Sequence, residues 1–352
     1  MAEHAVPQTL AGLIERARAQ GPVRVAIADA AQTVILETMR EAVELGLAEP
    51  CLIGEPDRIE PLLKSAGWLE GSRFVVPCGA DAAAAARAVA MARAGEADVV
   101  MKGNLHTDVF MHALLDPEAG LRVRERRVSH LFLLEIRGHD RLIGITDAAI
   151  NIAPDLAAKA QICQNAIELF HELGAPRPHV AVLSAVETVT VDIGSTIDAA
   201  SLTLMARRGQ ITDASVDGPL ALDNAISARA AAEKGILSEV AGKADILLVP
   251  DLVTGNVLAK ALEYLGSAKA AGIALGLSVP VVLTSRADTA EARLASLALA
   301  RLSPREPGGM RSPYRANNEI CTLCAAPSPD HACRPLPKQP SSTEDKQQRH
   351  PA

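Results

Sequence analysis

Short apolar runs alternate with longer amphipathic stretches from Val23 to Leu302, and this alternation constrains the fold more than any other feature of the chain. Val23–Ala28 (VRVAIA), Cys51–Ile53, Phe74–Val76 and Asp98–Met101 read as strands. Between them, 33–47, 59–66 and the alanine-rich 82–94 read as helices. Continuous apolar runs between amphipathic helices are the mark of a parallel sheet covered on both faces. The pattern changes at Val128–Ile136 (VSHLFLLEI) and Arg141–Thr146 (RLIGIT), two apolar runs separated by four residues. That spacing predicts an antiparallel hairpin, placed at a sheet edge. Alternation then resumes: helices over 156–173, 196–208, 220–234, 257–265 and 289–302, and strands over 179–183, 214–216, 245–249, 273–275 and 281–283. The expected fold class is α/β, with mostly parallel sheets flanked by helices.

Several classes of function are disfavoured. The longest apolar stretch, Ala270 to Leu283, is broken by Ser278 and Pro280 and falls short of the roughly 20 residues a bilayer needs. The first residues carry Glu3, Glu15, Arg16 and Arg18 without an apolar core, unlike a secretory signal. The net charge is −7 and only 2% of the residues are aromatic, so there is no expected surface for nucleic acid. Six cysteines in 352 residues do not form a disulfide scaffold, and a reduced, cytoplasmic protein is expected. From Ser303 onward nine prolines fall in fifty residues, with four large aliphatics, a composition that predicts a disordered tail. Without that tail the body holds 28 basic and 37 acidic side chains and is more acidic than the whole.

Neither G-x-G-x-x-G nor G-x-x-x-x-G-K-[ST] occurs, so two common phosphate-binding fingerprints are missing. Polar clusters instead follow the apolar strands, at the edge where open α/β sheets bind ligands. The first is Lys102-Gly103-Asn104-Leu105-His106-Thr107. Lysine neutralises phosphate, glycine lets backbone approach, and Thr107 can cap the next helix so that its N–H groups face an anion. The second is Thr146-Asp147 with Asn151 and Pro154-Asp155, where Asx-turn chemistry before a helix is the favoured reading and Asp147 orienting a substrate donor or coupling two domains the alternative. The third is Asp217-Gly218-Pro219, a tight turn into a helix carrying Asp223 and Asn224. The fourth is Pro250-Asp251 with Gly255-Asn256, where Asp251 suits a helix cap and Asn256 a ligand. The fifth is Ser285-Arg286-Ala287-Asp288. Arginine offers a planar fork of donors to phosphate, serine one more donor, and Asp288 a proton acceptor; Ser285 or Asp288 serves equally as the cap of the last helix.

Isolated residues carry less. His130, inside a β-rich run, reads as a satisfied core or edge histidine. Cys51, Cys78 and Cys163 read as small buried hydrophobes. Cys321-x-x-Cys324 with His331 and Cys333 has some zinc-ligand character but lies in a segment with no strand or helix pattern, so no metal is expected.

In this order, VMKGNLHTDVFMHALL, VSHLFLLEI, ITDAAINIAPDL, HVAVLSAVE, VDGPLALDNAIS, KADILLVPDLVTGN and VPVVLTSRADT resemble the phosphate acetyl/butyryltransferase family. The resemblance runs from about Val23 to Leu302 and is dense from Met101 to Asp288. It implies an isocitrate/isopropylmalate-dehydrogenase-like fold of two α/β domains around a cleft, usually a homodimer. The first domain would hold 1–126 and 276–302, the second 127–275, with 303–352 as tail. The implied activity is reversible transfer of acetyl or another short acyl group between coenzyme A and inorganic phosphate. No cofactor is permanently bound, coenzyme A is a substrate, and an acyl kinase is a natural pathway partner. Butyryl and branched acyl groups remain alternatives.

The resemblance also assigns residues. Ser285 and Arg286 match the family's serine–arginine pair beside the acyl phosphate and the thiol. Lys102, Gly103, His106 and Thr107 fall on the phosphate side, and Asn256 and Asp217 along the cleft. The acetyl-specific branch places an aspartate a few residues after the arginine; here the nearest is Asp288, at a shorter spacing. Glu291 and His106 therefore stay open as bases beside it. Two rival readings are a metal- and nicotinamide-dependent hydroxy-acid dehydrogenase of the same fold and a non-catalytic coenzyme A or phosphate sensor. Arg122, Arg124, Arg126 and Arg127 superficially resemble a dehydrogenase substrate loop, but the helix-borne Asp-x-x-x-Asp is missing.

Overall fold

The apolar run VRVAIA forms a strand, β1 (Val23–Ala28), whose alternate residues feed two different hydrophobic clusters. Val25 and Ile27 point into one, Ala26 and Ala28 into the other. From Val25 to Ala28 the strand is covered on both faces, as its unbroken apolar run demands, while Arg24 is exposed. The structure, a computed structural model, describes residues 6–283 and 288–304.

The elements follow in order: α1 (Leu10–Ala19), β1, α2 (Thr33–Glu44), β2 (Ala48–Gly54), α3 (Pro56–Ser65), β3 (Val75–Pro77), α4 (Ala82–Arg93), β4 (Val99–Lys102) and α5 (Thr107–Leu115). Then come β5 (Ser129–Glu135), β6 (Ile143–Thr146), α6 (Leu156–Glu172), β7 (His179–Leu183), α7 (Gly194–Arg207) and β8 (Ser215–Leu220). The chain continues through α8 (Leu222–Ile226), α9 (Ala228–Glu233), β9 (Ile246–Leu248), α10 (Leu252–Tyr264), β10 (Lys269–Leu275), β11 (Val281–Val282) and α11 (Ala290–Leu302). The strands join in one sheet of order β3-β2-β1-β4-β11-β10-β5-β6-β9-β7-β8.

Helices pack on both faces. Residues of α1, α2, α6, α7 and α11 share one cluster; α4 and α5 cover the other face near β1 and β4, and α8 to α10 cover it near β6 to β9. Leu294, Leu297, Leu299 and Leu302 of α11 are all buried, each contributing about 1.5–3 kcal/mol of transfer free energy. Capping aspartates start two long helices: Asp155 accepts from Ala158 N at 2.8 Å and Asp251 from Thr254 N at 2.8 Å. Among the described residues no helix is long and apolar enough to cross a membrane.

Three expectations need correction. The β5–β6 hairpin is antiparallel but central, because β10 pairs along all of β5 and β9 takes the far side of β6. Residues 220–234 do not form one helix: Ser227 ends α8 and caps α9, accepting from Ala230 N at 3.3 Å. Gly218-Pro219 is not a turn but part of β8, pressed against β7.

One consequence of the pairing governs everything that follows. β4 and β11 are parallel, β10 runs against β11, β5 against β10 and β6 against β5. β9, β7 and β8 follow β6. The carboxyl ends of β1, β4 and β11 therefore leave the sheet at one edge, and those of β6, β9, β7 and β8 at the other. The five polar clusters do not share a single edge.

Candidate active site

At the first edge, Ala28 and Lys102 are register partners at the ends of β1 and β4. Gly103 N donates to Ala28 O at 2.9 Å and Asn104 N to Asp29 O at 2.6 Å. A Cβ on Gly103 would stand 2.0 Å from Asp29 O and 2.3 Å from Ala28 O, so only glycine passes here. The glycine lets the two backbones that leave β1 and β4 approach closely. Asp29 is 1% exposed beside Arg58, at 3.5 Å. Burial pushes its carboxyl up, and Arg58 opposes the shift.

Lys102 is buried at the strand end, while His106 and Thr107 are exposed. The cap position of α5 belongs to His106, with no side-chain bond, and Thr107 is the first helical residue. Thr107 therefore does not cap the helix as expected.

β11 ends at the same edge. Val282 is the register partner of Met101, so Leu283 and Lys102 leave the sheet side by side. Ser285 and Arg286 lie outside the described residues. Asp288 is half-buried, and its carbonyl accepts from Nη1 of Arg293 at 2.7 Å. The cap of α11 is Thr289, which accepts from Ala292 N at 3.1 Å, so Asp288 does not fill that position. Glu291 lies 2.6 Å from the ammonium of Lys269 in an exposed ion pair.

Two residues here escaped the sequence reasoning. Arg293 is 1% exposed, and burial lowers its guanidinium while the charge of Asp288 opposes this. The available signal was an arginine, Arg293, one turn inside a helix whose residues 294–300 are all small or apolar. Glu263 of α10 feels Asp288: burial first, then that neighbouring carboxylate, raises its carboxyl, and Lys260 opposes.

The second edge is organised by Asp147, 3% exposed. Its Oδ1 accepts from Ala149 N at 2.9 Å and Ile150 N at 3.0 Å; its Oδ2 accepts from Asn151 N at 3.3 Å and Asn151 Nδ2 at 2.5 Å. This is the Asx-type arrangement that its sequence context allowed. Asn256, half-buried in α10, donates from Nδ2 to Ala148 O at 3.2 Å and so joins this loop. Asp217 lies within β8, its Oδ1 accepting from Gly218 N at 2.9 Å. The backbone N–H of Asn224 and then Lys234 hold the exposed Asp223 carboxyl low.

The structure thus brings Lys102, Gly103, His106 and Thr107 to the edge where Asp288 follows β11, and sets Asp217 and Asn256 at the other. His130 is a core histidine on β5, 1% exposed, with its ring 4.4 Å from Phe132 and edge-on to it. Its Nδ1 has no partner among the described residues, so it is not the satisfied histidine expected. Cys163 is buried as expected, and burial pushes its thiol up to about 12; Cys51 and Cys78 are only half-buried. The Cys321–Cys333 cluster and the rest of the tail after Pro304 lie outside the described residues. A groove of about 940 Å³ between α4 and α5 is walled mainly by Ala82, Ala86, Val89, Val109 and His112 and touches none of the candidate residues.

A family model described as phosphate acetyl/butaryl transferase matches residues 79–301. The chain belongs to this family. It is similar to a phosphate acetyltransferase of Rhizobium meliloti, 49% identical over 298 residues, which are 85% of this chain and 94% of that protein. It is also similar to a phosphate butyryltransferase of Clostridium acetobutylicum, 41% identical over 290 residues, covering 82% and 96% of the two chains. Among solved structures, a branched-chain phosphotransacylase from Enterococcus faecalis V583 superposes with a TM-score of 0.72 at 32% identity, covering 81% of this chain and all of that one. A 4-hydroxythreonine-4-phosphate dehydrogenase from Burkholderia phymatum, at 15% identity, a TM-score of 0.52 and 81% and 99% coverage, shares the fold alone. The dehydrogenase-like fold is therefore present, and membership of the phosphate acetyl/butyryltransferase family makes the chain a phosphate acyltransferase rather than a dehydrogenase.

Proposed function

We propose that this phosphate acyltransferase moves an acetyl group between coenzyme A and inorganic phosphate, by direct attack of the thiolate on the acyl phosphate. The sulfur forms a bond to the acyl carbon, the carbon–oxygen bond to phosphate breaks, and phosphate leaves with the electron pair. The thiol proton passes to a base, because a free thiol near a pKa of about 8.5 is mostly protonated at neutral pH. In reverse, phosphate attacks the thioester and coenzyme A leaves.

The observation that supports this reading is the pairing of Met101 with Val282, which makes Lys102 and Leu283 leave neighbouring strand ends, with Ser285 and Arg286 two and three residues further along the sequence. In this reading Arg286 and Lys102 bind phosphate, and Arg286 with Ser285 steadies the charge growing on the acyl oxygen. Fixed donors at such a point contribute a few kcal/mol. Holding both substrates together supplies much of the remaining rate. Asp288 is the preferred base, since Glu291 is engaged by Lys269, and His106 is the alternative on the same edge. Gly103 and Thr107 shape the phosphate side, and Asp217 and Asn256 line the part of the cleft that takes coenzyme A.

Acetyl is placed first because the acetyltransferase relative is 49% identical and the butyryltransferase relative 41%. Butyryl stands second on the latter observation. We further propose two lobes, 1–126 with 276–302 and 127–275, a homodimer in the cytoplasm, coenzyme A as substrate with no permanently bound cofactor, and an acyl kinase as the pathway partner.

The test is release of free thiol from acetyl-CoA and butyryl-CoA with phosphate, or arsenate in its place. Phosphate-dependent release, faster with acetyl-CoA, is expected. Faster release from butyryl-CoA reverses the acyl assignment. Binding of coenzyme A without any release would mark a sensor and overturn the catalytic reading.

A further inference from the structure

Four arginines, Arg122, Arg124, Arg126 and Arg127, crowd the segment leading into β5, and the proposed reaction leaves them without a task. They differ in how they are held. Arg126 turns onto α6, bonding Asn165 and Glu168. Arg127 is exposed, yet its Nε donates to Oδ1 of Asn151 at 2.7 Å. The Asn151 amide cannot turn, since its Nδ2 donates both to Val128 O at 2.9 Å and to Asp147 Oδ2 at 2.5 Å. Asn151 and Asp147 are 6% and 3% exposed.

The main chain of Arg127 is pinned as well. Its N–H donates to Gln161 Oε1 at 2.7 Å, and its carbonyl accepts from Asn165 Nδ2 at 2.8 Å. Gly276, at φ +79°, closes the space behind it: a Cβ there would stand 2.2 Å from the Arg127 carbonyl oxygen. Among the described residues nothing bonds Nη1 or Nη2 of Arg127. An arginine that met only water would gain nothing from two buried side chains fixing its Nε. A guanidinium held in one orientation, with its outer fork open, is the arrangement that recognises a phosphate group.

We propose that Arg127 is an anion-binding residue of this enzyme, held through Nε by Asn151 so that Nη1 and Nη2 take a phosphate oxyanion of a substrate. The inference rests on the acyltransferase reading, whose two substrates both carry phosphate. Arg127 stands at the amino end of β5, on the edge shared with Asp147 and Asn256 and opposite to that of Lys102. Asn151 is the positioning residue, acting only through Arg127.

The experiment compares the full chain with its Arg127→Gln and Arg127→Lys variants. Calorimetric binding of coenzyme A, 3′-dephospho-coenzyme A and inorganic phosphate is measured, together with kcat, KM and thermal stability. Arg127→Gln is expected to weaken one phosphate-bearing ligand by about tenfold and to raise its KM more than it lowers kcat. Arg127→Lys should recover only part, because lysine lacks the planar fork. Weakened coenzyme A with unaltered dephospho-coenzyme A identifies the 3′-phosphate. Equal weakening of the two identifies the diphosphate, and weakened inorganic phosphate identifies the reacting anion. Unaltered binding of all three ligands overturns the proposal and leaves Arg127 as a tie between β5 and the 147–151 loop. A wild-type chain that binds these ligands but transfers no acyl group contradicts the activity, while the binding comparison still judges Arg127.

Discussion

Met101 and Val282 are register partners in parallel strands, so Lys102 and Leu283 leave the sheet side by side at the edge assigned to phosphate. Lys102 is 7% exposed there. Replacing it with glutamine keeps much of the length and removes the charge. Lys102→Gln is expected to lower kcat/KM for phosphate by roughly 10–100-fold. Arg286→Ala, which removes the donor proposed for the transition state, is expected to lower kcat by about 100–1000-fold. Steady-state kinetics with acetyl-CoA and phosphate checks both.

The ammonium of Lys159 lies 2.6 Å from Oδ2 of Asp198, tying α6 to α7. Lys159 is 6% exposed, so losing its partner leaves a buried charge uncompensated. Asp198→Ala is expected to cost roughly 3 kcal/mol in urea unfolding. Adding Lys159→Met should recover most of the loss, because an apolar side chain needs no partner there. A cost below about 1 kcal/mol for Asp198→Ala would show the pair to be no stronger than a surface bridge.

Burial pushes the His130 imidazole down to about 4, and the charge of Asp147 opposes that shift only in part. Above pH 6.5 the ring is neutral in both folded and unfolded chains. Between about 6.5 and 4 the unfolded chain takes a proton that the folded one refuses, so stability falls across this window. The loss amounts to roughly 3 kcal/mol once pH reaches the folded value. His130→Leu should flatten that part of the pH profile. Urea midpoints at pH 7, 5.5 and 4.5 check this, and equal slopes in the two proteins would refute it.

A methyl group on Gly103 meets two backbone carbonyls, not side chains that could turn away. Gly103→Ala is therefore expected to cost about 3 kcal/mol and to displace the Lys102–Thr107 segment. Thermal melts and kcat/KM for phosphate should fall together. A stable variant with normal activity would show that the close approach of the backbones leaving β1 and β4 tolerates movement.

The parts of this architecture legible in the sequence are those written in local pattern. Val25–Ala28 in β1 and Val180–Leu183 in β7 are unbroken apolar runs because both faces of these strands are covered. Asp251 announced its helix, which it caps. Pairing across long separations was not legible. The VSHLFLLEI run belongs to the middle of the sheet because Lys269–Leu275, more than a hundred residues later, lies along it. Strand direction leaves no mark in composition, so nothing in TDAAIN or KGNLHT told that the two loops leave opposite edges. The burial of Arg293 and the fixing of Arg127 by Asn151 likewise depend on which elements meet. Resemblance to a family supplied the chemistry that pattern alone left open.

The most direct measurement of the central claim follows acetyl phosphate and free thiol in the same reaction of acetyl-CoA with inorganic phosphate, by phosphorus NMR and thiol titration. The account predicts one acetyl phosphate for each coenzyme A released and an absolute need for phosphate. Thiol released without acetyl phosphate, or no release by a folded chain from acetyl-CoA, butyryl-CoA or branched acyl-CoA, would contradict it.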